Sequence, residues 1–162
     1  MGKRHLEDSY TITKINDIYY TFTIDSGLDY TLQLDDCTRD AKNCNIKITG
    51  GGKIWLFAFY PTNGKDKPRG NPDPKIANTI ITFLLKHIDI DKDAIISIYS
   101  DLGMGDTVRK NLFTEWFKSA GIDNIEQYDG TITLNKKLRL TVLFIHKHNP
   151  DKDNIIKYFT NL

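Results

Sequence analysis

The chain of 162 residues is 40% hydrophobic and 11% aromatic, which suits one compact domain, 1–162, burying roughly two thirds of its unfolded surface. Its 22 basic and 21 acidic residues leave a net charge of +1, without the basic excess of a dedicated electrostatic nucleic-acid binder. No apolar run approaches the roughly 20 residues that span a bilayer, and Met1 to Asp8 lacks the apolar centre of a signal peptide; a cytoplasmic protein with a disordered 1–8 stretch is expected.

Residues 9 to 35 read as a meander. Tyr10 to Ile15, Ile18 to Ile24 and Leu28 to Leu34 alternate with period two, and Asn16-Asp17 and Ser26-Gly27 supply the turns of two hairpins. Between Asn16 and Asp36 stand Asp17, Asp25, Asp29, Asp35 and Asp36 with no Lys or Arg, so one face or edge of the meander is negative. Solvated charge that keeps sheet edges apart is the favoured reading over a cation site.

Cys37 to Gly52 is polar and ends in three glycines, the pattern of a mobile connection with room for a short strand at Asn45 to Thr49. No Gly-Lys-Ser/Thr follows, as a P-loop requires. Cys37 and Cys44 are the only cysteines; a reducing compartment favours two free thiols, and the further ligands of a zinc site are missing nearby. Ile54 to Tyr60 is apolar on both parities and predicts a central strand.

Pro61 to Pro74 is a basic, proline-rich loop carrying Lys65, Lys67 and Arg69. Asp73 as cap and Pro74 at the first helical position open a helix with Ile76, Ile80, Phe83, Leu84 and His87 as its inner stripe; His87 reads as packed or dipole-facing. Asp89, Asp91 and Asp93 imitate the start of a calcium loop, but Ala94 and Ser100 occupy the positions of its glycine and its final Glu. The β-branched run Ile95 to Tyr99 predicts a strand buried on both faces, feeding a loop from Ser100 to Asp106 and a helix from Thr107 to Ala120 that Gly121 ends.

Ile125 to Tyr128 and Thr131 to Leu134 predict short strands around an Asp129-Gly130 turn, and Leu138 to His146 a last long strand. From Asn135 to Pro150 the charged residues are Lys136, Lys137, Arg139 and Lys147, beside His146 and His148 and with no acid. Asn149 as cap and Pro150 start a terminal helix with Ile155, Ile156 and Phe159 inward.

Three stretches together resemble a small bacterial family of short domains without an assigned activity. They are Asp73-Pro74-Lys75-Ile76 with Thr79-Ile80; Asp101 with Arg109, Leu112, Phe113, Trp116 and Phe117; and His146-Lys147-His148-Asn149-Pro150-Asp151-Lys152 with Ile155-Ile156. Leu102-Gly103-Met104-Gly105 departs from the more polar loop of that family. A fainter resemblance is to the GNAT acyltransferase fold, with Ile54 to Tyr60 as its acetyl-CoA-binding strand and Arg109 to Gly121 as its later helix. It implies that the turn Lys67 to Pro74 aims backbone amides at the CoA pyrophosphate. Here the prolines remove donors and Asp73 adds negative charge, which Lys65, Lys67 and Arg69 offset in part; Gly70 allows close approach.

The fold class expected is α+β: a mixed, mostly antiparallel sheet of N-terminal meander then β-α-β-α-β-β, with helices packed on it, a C-terminal helix and a GNAT-like variant as the finer option. For function the leading expectation is a non-catalytic interaction or regulatory module with a protein partner and no cofactor. Its rival is a GNAT-like, degenerate or working acyltransferase using acetyl-CoA, with Lys65, Lys67, Arg69 and Gly70 on the cofactor and Asp101 or His146 as base. A Ser100-His146-Asp101 arrangement lacks the nucleophile-elbow glycines. Strands that part beside Ile54 to Tyr60 favour the enzyme; a continuously paired sheet favours the module.

Overall fold

The computed structural model describes residues 8–62, 74–98, 114–115 and 117–162. The elements run β1 (Thr13–Lys14), β2 (Tyr19–Thr23), β3 (Asp29–Asp36), α1 (Thr38–Asn43), β4 (Ile54–Pro61), α2 (Pro74–His87), β5 (Ala94–Ile98), β6 (Ile125–Leu134), β7 (Lys137–His146) and α3 (Lys152–Thr160). One seven-stranded sheet has the order β1-β2-β3-β4-β5-β7-β6. Its pairs are antiparallel except β4 with β5, which α2 joins as a crossover helix. The fold is therefore α+β with a mixed, mostly antiparallel sheet.

Residues with two-sided apolar patterns occupy the centre, because helices cover both faces there. On one face Phe57, Ile95, Val142 and Phe144 pack with Ile80, Phe83 and Leu84 of α2, and the alternating meander adds Phe22, Leu32 and Leu34. On the other, Ile54, Ile96, Leu143 and Ile145 meet Ala41 of α1 and Ile155, Tyr158 and Phe159 of α3. Ile96 is 1% exposed, and burying such a side chain contributes about 1.5–3 kcal/mol. Residues 114–115 and 117–119 are helical, and the Phe117 ring stands edge-on to Phe144 at 5.3 Å. Most of the expected helix Thr107 to Ala120 lies outside the described residues, as do residues 1–7 of the expected disordered start.

Local chemistry explains the turns. At the first, Asn16 Oδ1 accepts the Ile18 and Tyr19 amides at 2.9 and 2.8 Å, an Asx turn that closes the hairpin. Three expectations need correction. Asp129-Gly130 is no turn: β6 runs straight through it, and the hairpin closes at Asn135-Lys136, both with positive φ (51° and 64°), the geometry of a type I′ turn. Gly130 instead answers to packing, since a Cβ there would lie 2.8 Å from Phe159 Cζ.

The connection from Cys37 to Gly52 contains α1 and no strand at 45–49. Asn45, with φ of 65°, ends α1 as Ile46 N–H donates to Ala41 O and Asn45 N–H to Lys42 O, a Schellman motif. Two of its three glycines sit against neighbours: a Cβ on Gly52 would fall 2.0 Å from Lys92 O, and one on Gly50 2.4 Å from Pro150 Cγ, while Gly51 faces open space with a φ of 78°. Finally, α3 begins at Lys152, with Asp151 rather than Asn149 in the N-cap position and no side-chain capping bond. Asn149 Oδ1 accepts the Asp151 amide at 2.8 Å, so its polarity serves the preceding turn.

Candidate functional site

At the centre of the sheet, β4 and β5 share a short ladder. It runs from Ile54↔Ala94 to Phe57↔Ser97. On its other side β4 continues along β3 as far as Pro61↔Tyr30, and the Thr62 amide donates to Asp29 O at 2.9 Å. Likewise β5 stays paired with β7 to Ile98↔Thr141. Along the described part of β5, which ends at Ile98, the parallel seam is continuously paired, and β4 runs on beside β3 to Pro61. Strand alternation turns the backbone groups of Ile54, Leu56, Ala58 and Tyr60 toward β3, leaving those of Trp55, Phe57 and Phe59 directed toward the β5 side.

The crossover helix α2 lies in the chain between the end of β4 and the start of β5. α2 has 14 residues, about 21 Å at 1.5 Å per residue, enough to cross the sheet back toward the start of β5. Its first turn holds no acidic residue, while Lys86 and His87 lie in its last turn. Asp73, the expected cap directly before α2, lies outside the described residues. Lys75 Nζ sits 4.4 Å from the Tyr10 ring centroid, beside a cleft of about 400 Å³ that also includes Thr21 and Phe22. A second cleft, of about 530 Å³, is bordered by Arg39, Lys42 and Lys53 on the opposite side of the fold.

The nominated residues divide by location. Lys65, Lys67, Arg69, Gly70, Ser100, Asp101 and Arg109 lie outside the described residues. His146 closes β7 beside Ala94, the first residue of β5, whereas the chain leaves β5 toward Ser100 and Asp101 from Ile98, opposite Thr141. Five residues of β7, roughly 17 Å at about 3.4 Å each, separate those levels. His146 Nδ1 accepts the His148 amide at 3.1 Å, so the neutral ring carries its proton on Nε2, 3.9 Å from Asp91 Oδ1. Among the described residues no group of three or more His, Cys, Asp and Glu is placed to hold a metal ion.

A buried polar network occupies the His146 end of the sheet. The Asp93 carboxylate, 7% exposed, accepts the Lys53 amide at 2.8 Å, the Asp89 amide at 3.0 Å and the Trp55 indole N–H at 3.0 Å. Asp151, 4% exposed, accepts the Thr49 and Gly50 amides, both at 2.8 Å, and the Thr49 hydroxyl. Burial pushes the Asp151 pKa up, but these three donors outweigh it and hold the carboxyl below its ordinary value. Asn149 Nδ2 donates to Lys92 O at 2.9 Å. These bonds staple the glycine loop, the 89–93 turn and the start of α3 together. His87 also serves the fold: Nδ1 lies 2.8 Å from Phe83 O, and its ring meets Tyr20 and Phe83.

One cluster had no sequence signal. Cys37 Sγ donates to Ile54 O at 3.2 Å, and burial, helped by Asp36 and Asp35, pushes its pKa up to about 12. Nearby, Tyr158 donates its hydroxyl to Asp40 Oδ2, and burial followed by that carboxylate keeps the phenol protonated. Cys44 is exposed, and both thiols are free. No protein-family model matches the chain, and no curated protein matches it.

Proposed function

We propose that the chain is a GNAT-like domain that takes acyl-CoA at the C-terminal end of the parallel β4–β5 pair and transfers the acyl group to an amine. The observation that carries this reading is the parallel pair β4–β5 at the centre of an otherwise antiparallel sheet, joined by the crossover helix α2 whose N-terminus follows β4. An acyl-CoA thioester laid along β4 would direct its pyrophosphate toward the start of α2, where the helix dipole and the loop residues Lys65, Lys67, Arg69 and Gly70 favour negative charge. Pro74 withholds one amide, so the lysines and arginine carry more of that role than in a glycine-only turn. In the transfer the amine nitrogen attacks the thioester carbonyl, the carbon–sulfur bond breaks, and CoA leaves as its thiolate. Asp101 is the base proposed to take the amine proton, because it follows the C-terminal end of β5 in sequence, whereas His146 stands beside the start of β5.

A second reading has its own support. Among the described residues the sheet is continuously paired beside Ile54 to Phe57, and Asp93, Asn149 and Asp151 are engaged in bonds that hold the fold; both favour a non-catalytic interaction or regulatory module with a protein partner. For either reading the proposed setting is a bacterial cytoplasm, on the resemblance of the Asp73, Asp101 and His146 stretches and the two free thiols. Thermal unfolding with millimolar acetyl-CoA or CoA, and with ATP as anion control, separates them. A ligand at 100 times its Kd adds about 2.7 kcal/mol, roughly 5–11 °C for a chain of this size. A rise specific to CoA compounds supports the transferase; no rise removes it and leaves the module.

A further inference from the structure

The cleft of about 530 Å³ beside the start of β4 gathers positive charge that the fold does not use. Helix α1 supplies Arg39 and Lys42, three residues apart and so on one side of the helix, and Lys53 enters from the glycine loop. All three are exposed, and Arg39 and Lys42 form no ion pair among the described residues. Lys53 Nζ lies over the Trp55 ring, 5.3 Å from its centroid. One acid, Asp36, lines the cleft with them. Its Oδ1 accepts the Thr38 amide and hydroxyl, and its Oδ2 is 3.9 Å from Lys53 Nζ. Next to Arg39 in sequence, Asp40 accepts the Tyr158 hydroxyl.

The backbone adds donors at the same place. Of the amides from Thr49 to Lys53, Thr49 and Gly50 donate to Asp151 and Lys53 to Asp93. Gly51 and Gly52, both in the cleft wall, find no acceptor for theirs among the described residues. Gly52 is buried, and a buried amide without an acceptor is rare in a folded chain. Cations and amides that lack acceptors thus meet in one cleft, an arrangement that an anion completes. We propose that this cleft binds a small diphosphate, free or as the diphosphate group of a metabolite. The Arg39 guanidinium can give two parallel N–H donors to one phosphate, with Lys42 and Lys53 as point charges beside it. Three cations less one carboxylate leave two positive charges, and the volume falls in the range of roughly 300–1,000 Å³ of small-ligand sites. Both suit a diphosphate better than a single carboxylate. The eight residues of β4, roughly 27 Å at about 3.4 Å each, separate this cleft from the proposed acyl-CoA end, so the inference does not rest on that reading.

Isothermal titration calorimetry of the full chain with pyrophosphate, ADP, AMP and inorganic phosphate, in about 0.1 M salt, tests this. Expected are saturable binding of pyrophosphate with a Kd below about 1 mM and binding about tenfold weaker or less for AMP and phosphate. ADP as tight as pyrophosphate assigns the cleft to the diphosphate of a metabolite, and weaker ADP assigns it to the free anion; either supports the proposal. Arg39→Gln with Lys42→Gln should weaken pyrophosphate about tenfold or more. Lys53→Gln should weaken it by less, and Lys136→Gln with Lys137→Gln, at the far β6–β7 turn, should leave it unchanged. Far-UV circular dichroism checks that each variant folds. The Arg39 and Lys42 variant should also lose any thermal rise that ATP shares with CoA while keeping a rise specific to CoA, so this inference and the acyl-CoA reading fail separately. No pyrophosphate binding up to about 10 mM, or binding that ignores the Arg39 and Lys42 changes or falls equally in the Lys136 and Lys137 variant, overturns the proposal.

Discussion

Asp93→Ala should be among the most destabilising substitutions of a polar residue in this chain. The wild-type carboxylate takes the Lys53 amide on Oδ1 and both the Trp55 indole and the Asp89 amide on Oδ2. Bonds to a charged acceptor each contribute about 1.5–3 kcal/mol, and each stranded buried donor costs about 1–3 kcal/mol. Water entering the space left by the carboxylate satisfies part of this set, so the net loss should be about 3 kcal/mol, or roughly 6–12 °C in Tm. Asp93→Asn keeps an acceptor for one side of the network only, and about half the loss is expected. Asp91→Ala is the control: that residue is 78% exposed and its change should stay within about 0.5 kcal/mol. Urea unfolding at constant m-value measures all three. A loss below about 1 kcal/mol for Asp93→Ala, or one equal to the control, would refute the stapling role.

Gly52→Ala should destabilise strongly, because its Cβ would meet the Lys92 backbone carbonyl at 2.0 Å, and a main-chain neighbour cannot swing aside; soluble expression and Tm report it. Gly130→Ala, by contrast, presses only on the end of the Phe159 ring, and a smaller loss in the same assay is expected. In thiol titration Cys44 should react quickly and Cys37 much more slowly, since Cys37 is half-buried, bonded to Ile54 O and has its pKa raised to about 12; two equally rapid thiols would contradict the packing. Asp151 has a lowered folded pKa, so its contribution is present above the ordinary carboxylate range and is lost as pH falls through the folded value. Asp151→Asn should therefore flatten the acid limb of the stability profile, and a profile parallel to wild type would sink that assignment.

Local patterns made much of the fold legible. The alternation of residues 18–34 marked β2 and β3, and the two-sided apolar runs marked β4, β5 and β7, because a strand covered by helices on both faces tolerates no polar parity. What failed depended on distant partners. Asp129-Gly130 has the local chemistry of a turn, yet Phe159 claims the space over Gly130. Helix α1 is six residues long and mostly polar, and Ala41 alone is buried in it, so no apolar period announced it. The acceptors that Asp93 and Asp151 provide lie 40 and 102 residues from the amides they bind, which no motif reading connects. At the candidate site, the identity of β4 and β5 could be read, but their parallel pairing could not. The basic loop residues nominated beside it lie outside the described residues.

The claim that acyl-CoA enters the β4–β5 seam is tested most directly by titrating the ¹⁵N-labelled chain with CoA and following assigned backbone amides by NMR. The account predicts saturable shifts at Phe57 to Tyr60, at Ser97 and Ile98 and in the first turn of α2, with little change at Ile125 to Leu134 and none of these shifts with ATP. Shifts confined to other surfaces, or the same response to ATP, would contradict it.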